Sequence, residues 1–191
     1  MEEIANELHK PAREPKEYRK VESYKINDIF SMDLVDMSMW ADQNDDYKFM
    51  LTCIDLFSRY AWVIKMKDKS GKETAEAIKQ IIKLAKAKPN KIWCDEGKEF
   101  YNKNVKNVVG DNVLYSTYGK AKAAVIERFN RTLKGMMYKQ FTINNNRKWL
   151  NLIDKLTDKY NNKKHRSLFG HTPNDVYHGK YIIKDAFISG Q

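Results

Sequence analysis

Three apolar segments rich in β-branched and aromatic residues follow one another within residues 29–66, and they constrain the fold more than any other feature. Two short sequences that favour turns, Asn44-Asp45-Asp46 and Phe57-Ser58-Arg59, separate them. Segments of this composition joined by short turns form antiparallel hairpins. We therefore predict a three-stranded antiparallel meander over Ile29–Trp40, Tyr47–Leu56 and Tyr60–Met66.

The rest of the chain alternates between helix-like and strand-like segments. Ser70 and Glu73 have the spacing of a capping box, and apolar residues then recur at steps of three and four until Pro89-Asn90. We predict next a strand over Lys91–Cys94, a short helix over 99–109, a strand over Asn112–Ser116, helices over 123–140 and Arg147–Lys163, and a helix start at Thr172-Pro173. This order is that of an α/β RNase H-like fold, a mixed five-stranded sheet flanked by helices, although several α/β folds share parts of it.

The length of 191 residues suits one well-packed domain with flanking segments. Residues 1–25 are polar, contain Pro11 and Pro15, and are predicted to form an arm or linker. We place the core over 26–180 and a tail over 181–191. No apolar run approaches the roughly 20 residues of a membrane span, and acidic residues follow Met1 where a signal peptide would be basic and apolar. We therefore expect no contact with a membrane.

The two cysteines, Cys53 and Cys94, lie in strand-like apolar segments and form no CxxC pair. We interpret them as buried, reduced thiols, which indicates an intracellular protein.

Positive charge is concentrated in one quarter of the sequence. The chain has 35 Lys and Arg against 25 Asp and Glu. Residues 115–166 alone hold 13 basic and three acidic residues, so the whole net charge of +10 lies there. A localised excess of this kind is typical of a surface that binds nucleic acid, whereas a merely solvated lysine-rich surface is usually spread more evenly.

Three carboxylates occupy positions that favour chemistry. Asp33 lies inside an apolar strand, where a charge is destabilising unless it is paired or binds a cation. Asp95 follows a strand, at the edge where α/β folds place their sites. Glu127 lies off the apolar stripe of its predicted helix. Oxygen ligands of this kind suit Mg²⁺ or Mn²⁺. The alternatives are that Glu127 pairs with Arg131 and that Asp95 caps a turn.

The sequences around these residues resemble the catalytic core of the retroviral-integrase superfamily. Four ordered motifs carry the resemblance. They are SMDLVDM (31–37) with LTCIDLFSRYAW (51–62), CDEGKEF (94–100), AVIERFNRTLK (124–134), and a closing segment of Tyr160-Asn161, His165 to Leu168 and Thr172-Pro173. With LHKPAR at 8–13, these motifs are most similar to those of integrases of Polinton/Maverick elements and virophages.

The resemblance implies a function, a site and partners. It implies a metal-dependent polynucleotidyl transferase that trims the 3′ ends of element DNA and joins them to target DNA, with residues 26–180 as the integrase catalytic core. Asp33, Asp95 and Glu127 would be the catalytic residues and would hold two Mg²⁺ or Mn²⁺ ions. The expected partners are double-stranded DNA and a second copy of the chain, in the nucleus or at a site of viral replication. Candidate DNA contacts are Lys120, Lys122, Asn130, Arg131 and Lys134.

Two other functions compete with this one. The first is a catalytically silent DNA-binding or architectural protein derived from an integrase. The second is an RNase H-type nuclease, which would usually show a fourth acidic residue and a different closing segment.

The chain departs from the superfamily pattern in two respects. Asp95 and Glu127 are separated by 31 residues, a few fewer than is common, and we attribute the difference to a short connection near Gly110-Asp111. The four histidines and two cysteines also lack the spacing of the zinc module that usually precedes such a core. We therefore expect a core without its flanking modules.

Several further residues have expected roles. Asp36 should point to the opposite face of the strand from Asp33 and be structural, and Asp55 should form hydrogen bonds in a turn or between strands. Glu96 and Glu99 are expected to face solvent or cap, and His165 to contact phosphate or to be packed or solvated. A last set of apolar residues could serve either the core or a partner helix, with the core preferred: Ile78, Ile82, Trp149, Leu152 and Leu156.

Overall fold

A computed structural model describes residues 23–111, 113–115 and 124–180 of the chain. Its strands are β1 (Ile29–Asp36), β2 (Phe49–Asp55), β3 (Ala61–Met66), β4 (Lys91–Trp93) and β5 (Leu114–Tyr115). Its helices are α1 (Gly71–Ala85), α2 (Lys103–Val109), α3 (Ala124–Asn144), α4 (Ile153–Asn161) and α5 (Pro173–Tyr177), with 3-10 helices at Ser38–Gln43 and Arg166–Leu168. Residues 1–22 of the predicted arm and the whole predicted tail, 181–191, lie outside the described residues.

The strands form one mixed sheet in the order β3-β2-β1-β4-β5. Strands β1, β2 and β3 pair antiparallel, as the meander predicted, and β4 pairs parallel with β1. The four longer strands, β1 to β4, have at least three residues each and form most of the sheet. At its edge β5 has two residues and pairs parallel with β4. The predicted mixed sheet flanked by helices is confirmed.

Each face of the sheet is covered by its own helices and its own apolar core. Alternate residues of β1 divide between the faces, with Phe30 and Met32 packing in the core that includes α1 and α2. Val35 and Met37 pack in the core that includes α3 and α4. Ile78, Trp149 and Leu156 are buried in these cores, and Ile82 and Leu152 are half-buried beside them. The preferred core interpretation of this apolar set is therefore confirmed.

Helix starts follow their predicted caps. The Ser70 side chain accepts from the backbone N–H of Glu73, and Thr172 accepts from that of Asp175, with Pro173 in the first turn. The left-handed conformation of Lys86 then ends α1. These ends are determined by local hydrogen bonds, which is why the sequence predicts them well.

Several predicted elements are shorter than expected, including the helix of 99–109, which begins at Lys103, and for two others the hydrogen bonds show the reason. The first strand ends at Asp36 because the Asp36 carboxylate accepts from the Ser38 N–H, and the chain turns there into a 3-10 helix. The helix predicted from Arg147 begins at Ile153. Before it, Asn44 Oδ1 accepts from the N–H groups of Trp149 and Leu150, and this contact holds the segment in a turn.

Both cysteines are buried free thiols, as predicted. Burial raises the pKa of Cys53, and it raises that of Cys94 to about 12, so neither is activated as a nucleophile. Within the described ranges, no helix combines the length and apolar character needed to cross a membrane.

Candidate active site

Asp33 and Asp95 are brought together by the register of β1 and β4. The parallel pairing aligns Ile29 with Lys91 and Ser31 with Trp93. Asp33 and Asp95 each lie two residues further along, so both side chains fall on the same face, at the carboxyl end of β4. The charge of Asp95 contributes to raising the pKa of Asp33, which shows that the two carboxylates are close. Strand pairing therefore creates the first half of the predicted site.

Asn130, on α3, attaches that helix to Asp33. Its Nδ2 donates to Asp33 Oδ2 at 2.8 Å, while Asp33 Oδ1 accepts from the N–H of Leu34 at 2.9 Å. The Asn130 side chain is 7% exposed, and its Oδ1 is buried without a hydrogen-bond partner among the described residues. The site therefore has an unused buried oxygen beside the Asp33 carboxylate.

Burial is the largest influence on the ionisation of Asp33. It raises the pKa of the carboxyl, and the negative charge of Asp95 raises it further. Hydrogen bonds from Leu34 and Asn130, and the positive charge of Lys134, act in the opposite direction. The net direction is upward, because burial and the neighbouring like charge together outweigh the hydrogen bonds and Lys134.

The loop after β4 holds Asp95 in a compact turn. Asp95 Oδ1 accepts from the N–H of Gly97 at 3.2 Å. The Glu99 carboxylate lies over Gly97 so closely that a Cβ there would meet it at 2.5 Å. Phe100, fully buried, anchors the loop in the core. The small size of Gly97 lets the Glu99 carboxylate lie over the turn, and Phe100 anchors it, which accounts for the place of each residue in the Asp-x-Gly-x-Glu-Phe pattern.

Glu127 is exposed in the first turn of α3 and precedes Asn130 by three residues. It therefore shares the helix face of Asn130, but it does not complete the expected cluster with Asp33 and Asp95. Across residues 23–111, 113–115 and 124–180, no three His, Cys, Asp or Glu side chains are grouped so as to hold a metal ion. Clustered carboxylates repel one another, so their separation is physically reasonable.

The donor atoms present are nevertheless suited to a hard cation. They are the carboxylate oxygens of Asp33 and Asp95, and the amide that contacts Asp33 keeps a buried, unpartnered oxygen, Asn130 Oδ1. An all-oxygen set with two carboxylates is the kind that Mg²⁺ and Mn²⁺ prefer. The residues present thus fit a divalent metal.

The five candidate DNA contacts have different environments. Lys120 and Lys122 lie outside the described residues. Arg131 is exposed and Lys134 is half-buried near Asp33. The amide of Asn130 contacts Asp33, which leaves it little surface for DNA. Sequence reasoning missed this contact with Asp33, although the three-residue step from Glu127 is a signal that both side chains face the same way.

The remaining acidic residues occupy the places expected of them. Asp36 lies on the opposite face of β1 from Asp33, and hydrogen bonds from Ser38 lower its pKa. Asp55 is fully buried in the hairpin between β2 and β3. It accepts from the N–H groups of Asn27, Phe57 and Ser58 and from the Ser58 hydroxyl. Its role is therefore structural, as predicted.

Comparison with known proteins gives one family. The profile of a family described as the integrase core domain matches residues 23–124. A transposon-derived, uncharacterised protein of Caenorhabditis elegans is 37% identical over 147 residues, which is 76% of this chain and 51% of that protein. The chain therefore spans about half the length of this curated relative.

Solved structures share the fold. One is a simian T-cell lymphotropic virus intasome bound to a phosphatase regulatory subunit, with a TM-score of 0.73, 17% identity, and coverage of 88% of this chain and 60% of that one. Another is the catalytic core domain of HTLV-2 integrase with magnesium in a trimeric form, with a TM-score of 0.66, 21% identity, and coverage of 82% of this chain and 100% of that one. A dimeric form of the same core domain gives a TM-score of 0.65.

Proposed function

Because this chain belongs to the integrase core domain family, we propose that it is a metal-dependent polynucleotidyl transferase that trims and joins DNA ends. Residues 26–180 are its catalytic core. The observation that carries the proposal is the pairing of Asp33 with Asp95 by strand register, with Asn130 attached to the first of them. Asp33 and Asp95 are two like charges beside an unused amide oxygen, and the one positive charge that acts on Asp33, that of Lys134, is the smallest of the influences on it.

Asp33, Asp95 and Glu127 are the proposed ligands of the divalent ions. When bound, such ions favour the activation of an attacking oxygen and stabilise the leaving oxygen in phosphoryl transfer. The magnesium in the HTLV-2 core structures supports this choice of metal. Glu127 shares a face of α3 with Asn130, whose amide contacts Asp33. The helix that carries Glu127 is therefore attached to Asp33.

The chain's own residues would hold the reacting strand. Asp33 is fixed by two hydrogen bonds, from Leu34 and Asn130, which keep its oxygens in place before substrate arrives. Lys134 brings a positive charge close enough to Asp33 to affect its pKa, so it is placed to bind a phosphate near the carboxylates. Arg131, exposed on the same helix, and Lys120 and Lys122 would extend this contact along the DNA.

The relatives support a proposal for the biological setting. The transposon-derived relative and the viral integrase structures support a role in the movement of a mobile element, and the sequence motifs favour the Polinton/Maverick or virophage group. The element ends and the target DNA would be its partners, in the nucleus or at a site of viral replication. Two DNA ends must be held at once, and the solved core domain has dimeric and trimeric forms, so we propose a homodimer or a larger assembly.

A strand-transfer assay tests the proposal. The full chain is incubated with short duplexes, and separately with preformed branched DNA, with Mg²⁺, Mn²⁺ or excess chelator. We expect cleavage or rejoining that needs the metal and that is lost in Asp33→Asn. Salt-sensitive DNA binding with no metal-dependent product on either substrate would overturn the proposal in favour of the silent DNA-binding alternative. Cleavage without any joining would indicate a nuclease.

A further inference from the structure

A basic pocket lies on the opposite side of α3 from the paired carboxylates. It has a volume of about 370 Å³ and opens between the start of α3 and the segment that follows α4. Five of its lining residues are Arg or Lys, with His165 between them, and no described lining residue is acidic. The cations, here called the basic pocket set, are Arg59, Arg128, Lys163, Lys164 and Arg166.

Among the described residues, no cation of the basic pocket set forms a salt bridge, although the charge of Asp55 acts on Arg59. Arg59 is close enough to Asp55 to interact with it, but its guanidinium donates to the carbonyl of Leu56. The oxygens of Asp55 already accept three hydrogen bonds from the hairpin and one from the N–H of Asn27. Burial lowers the pKa of Arg59, the charge of Asp55 acts against that shift, and the charge of Arg128 adds to it. A bound anion would stabilise the charged guanidinium further.

The walls of the pocket are fixed. Tyr160 and Phe129 form an apolar base, with ring centroids 4.6 Å apart. Asn161 ties the end of α4 to β3 through both the N–H and the carbonyl of Ala61, each at 2.9 Å. At the rim, the His165 N–H donates to the carbonyl of His171 at 3.0 Å and so holds the loop between them. A site with fixed walls binds a ligand with little loss of conformational entropy.

We propose that this pocket binds a backbone phosphate of DNA, distinct from the phosphate that reacts at Asp33. This inference rests on the proposed function and extends it by giving the DNA a second point of attachment. Residues 128 and 130, on one helix, contribute to the pocket and to the carboxylate site respectively. A helix with its side chains is roughly 10–12 Å across, which is a few nucleotide steps along a strand. One duplex can therefore contact both.

The exposed position of most of the cations favours a polymer over a small phosphate metabolite. Arg128, Lys163, Lys164 and Arg166 are exposed at the rim, and Arg59 and His165 are half-buried. Sites that enclose a small ligand remove most of its surface from water, whereas this rim leaves a bound phosphate accessible on the outer side. That access is what a phosphate joined to two neighbouring nucleotides requires.

The test compares two double variants of equal charge. Arg128→Ala with Lys163→Ala removes two exposed cations from the pocket. Lys79→Ala with Lys106→Ala removes two exposed cations from α1 and α2, on the other face of the sheet. The affinity of each full-length protein for a duplex of arbitrary sequence is measured from low to moderate salt. We expect the log–log slope to become shallower by about 0.9 for each phosphate that the pocket variant no longer neutralises and to stay unchanged in the control.

Neutral phosphates locate the contact. Single methylphosphonate substitutions are placed along the duplex, and at one position the loss of charge should weaken binding to the wild type but not to the pocket variant.

If Arg128→Ala with Lys163→Ala does not fold, Lys164→Ala with Arg166→Ala replaces it in the same design. Equal salt slopes for pocket and control variants would overturn the proposal. Stabilisation by inorganic phosphate without any change of slope would also overturn it, since the pocket would then take a free anion.

These outcomes separate the pocket from the proposed function. Metal-dependent strand transfer by the wild type together with equal salt slopes would refute the pocket alone. A pocket-specific change of slope in a protein that shows no metal-dependent chemistry would refute the catalytic proposal alone.

Discussion

The side-chain amide of Asn130 donates a hydrogen bond to the Asp33 carboxylate across 2.8 Å, linking α3 to the central strand of the sheet. The two residues lie 97 positions apart in the sequence. This contact does two things: it orients Asp33, and it holds beside the paired carboxylates the helix that carries Glu127.

The first prediction concerns Asn130 itself. Asn130→Ala removes a hydrogen bond to a carboxylate, and groups that orient metal ligands typically account for about 10–100-fold in metal affinity or activity. We expect the Mg²⁺ or Mn²⁺ concentration needed for half-maximal DNA cleavage to rise by about that factor. Thr142→Ala, an exposed change on the same helix, is the matched control. An unchanged metal requirement in folded Asn130→Ala would show that Asp33 is oriented without it.

The second prediction concerns the three proposed ligands. Asp33→Asn, Asp95→Asn and Glu127→Gln each keep the volume of the side chain but remove its charge, so each should abolish metal-dependent cleavage and joining without unfolding the protein. Product formation is measured by gel and folding by circular dichroism. Glu76→Gln, an exposed change on α1, should remain active. Substantial activity in a folded variant would remove that residue from the ligand set.

The third prediction concerns the basic residues that flank Glu127 in the sequence. Replacing Lys120, Lys122, Arg131 and Lys134 together should weaken DNA binding on all sequences alike. The salt dependence should flatten by about one unit of log–log slope for each phosphate that the variant no longer neutralises. The measurement is duplex affinity by fluorescence anisotropy over a range of salt. A slope equal to that of the wild type would mean that DNA follows another part of the surface.

The fourth prediction concerns the hairpin between β2 and β3. Asp55→Ala leaves the buried N–H of Ser58 and the half-buried N–H groups of Asn27 and Phe57 without their acceptor. An unsatisfied buried donor costs about 1–3 kcal/mol and a half-buried one costs less, so the free energy of unfolding should fall by about 2–4 kcal/mol. Urea unfolding measures this change. Asp36→Ala, which removes an exposed hydrogen bond in a turn, should lower it by less than about 1 kcal/mol, and equal losses would contradict the proposed role of Asp55.

The fifth prediction concerns pH. Burial, with the charges of Lys163 and Arg59, lowers the pKa of His165, so the folded protein favours the neutral ring. The unfolded chain binds the proton first as pH falls below about 6.5. The contribution of His165 to stability is therefore complete above that pH and is lost as pH falls through the folded pKa. His165→Gln should flatten the fall in unfolding free energy between about pH 7.5 and 5, and parallel profiles would refute this assignment.

The sequence by itself determined the features that depend on neighbours along the chain. The apolar, β-rich segments and the turn sequences between them predicted the meander. The caps at Ser70 and Thr172 predicted the starts of α1 and α5, because each cap is satisfied by an N–H three residues away. The positions of Asp33 inside a strand and of Asp95 at a strand end also follow from local pattern. These were enough to indicate a mixed sheet and two of the proposed ligands.

Only the tertiary structure decided the contacts between distant segments. Asn44 Oδ1 accepts a hydrogen bond from the N–H of Trp149, 105 positions away, so α4 begins later than predicted. No periodicity within either segment encodes that bond. The alignment of Asp33 with Asp95 depends on strand register, and the contact of Asn130 with Asp33 depends on how α3 docks on the sheet. The basic pocket likewise joins Arg59 to residues some 70 to 107 positions later. Local propensity acts over a few residues, whereas packing across the sheet selects which distant residues meet.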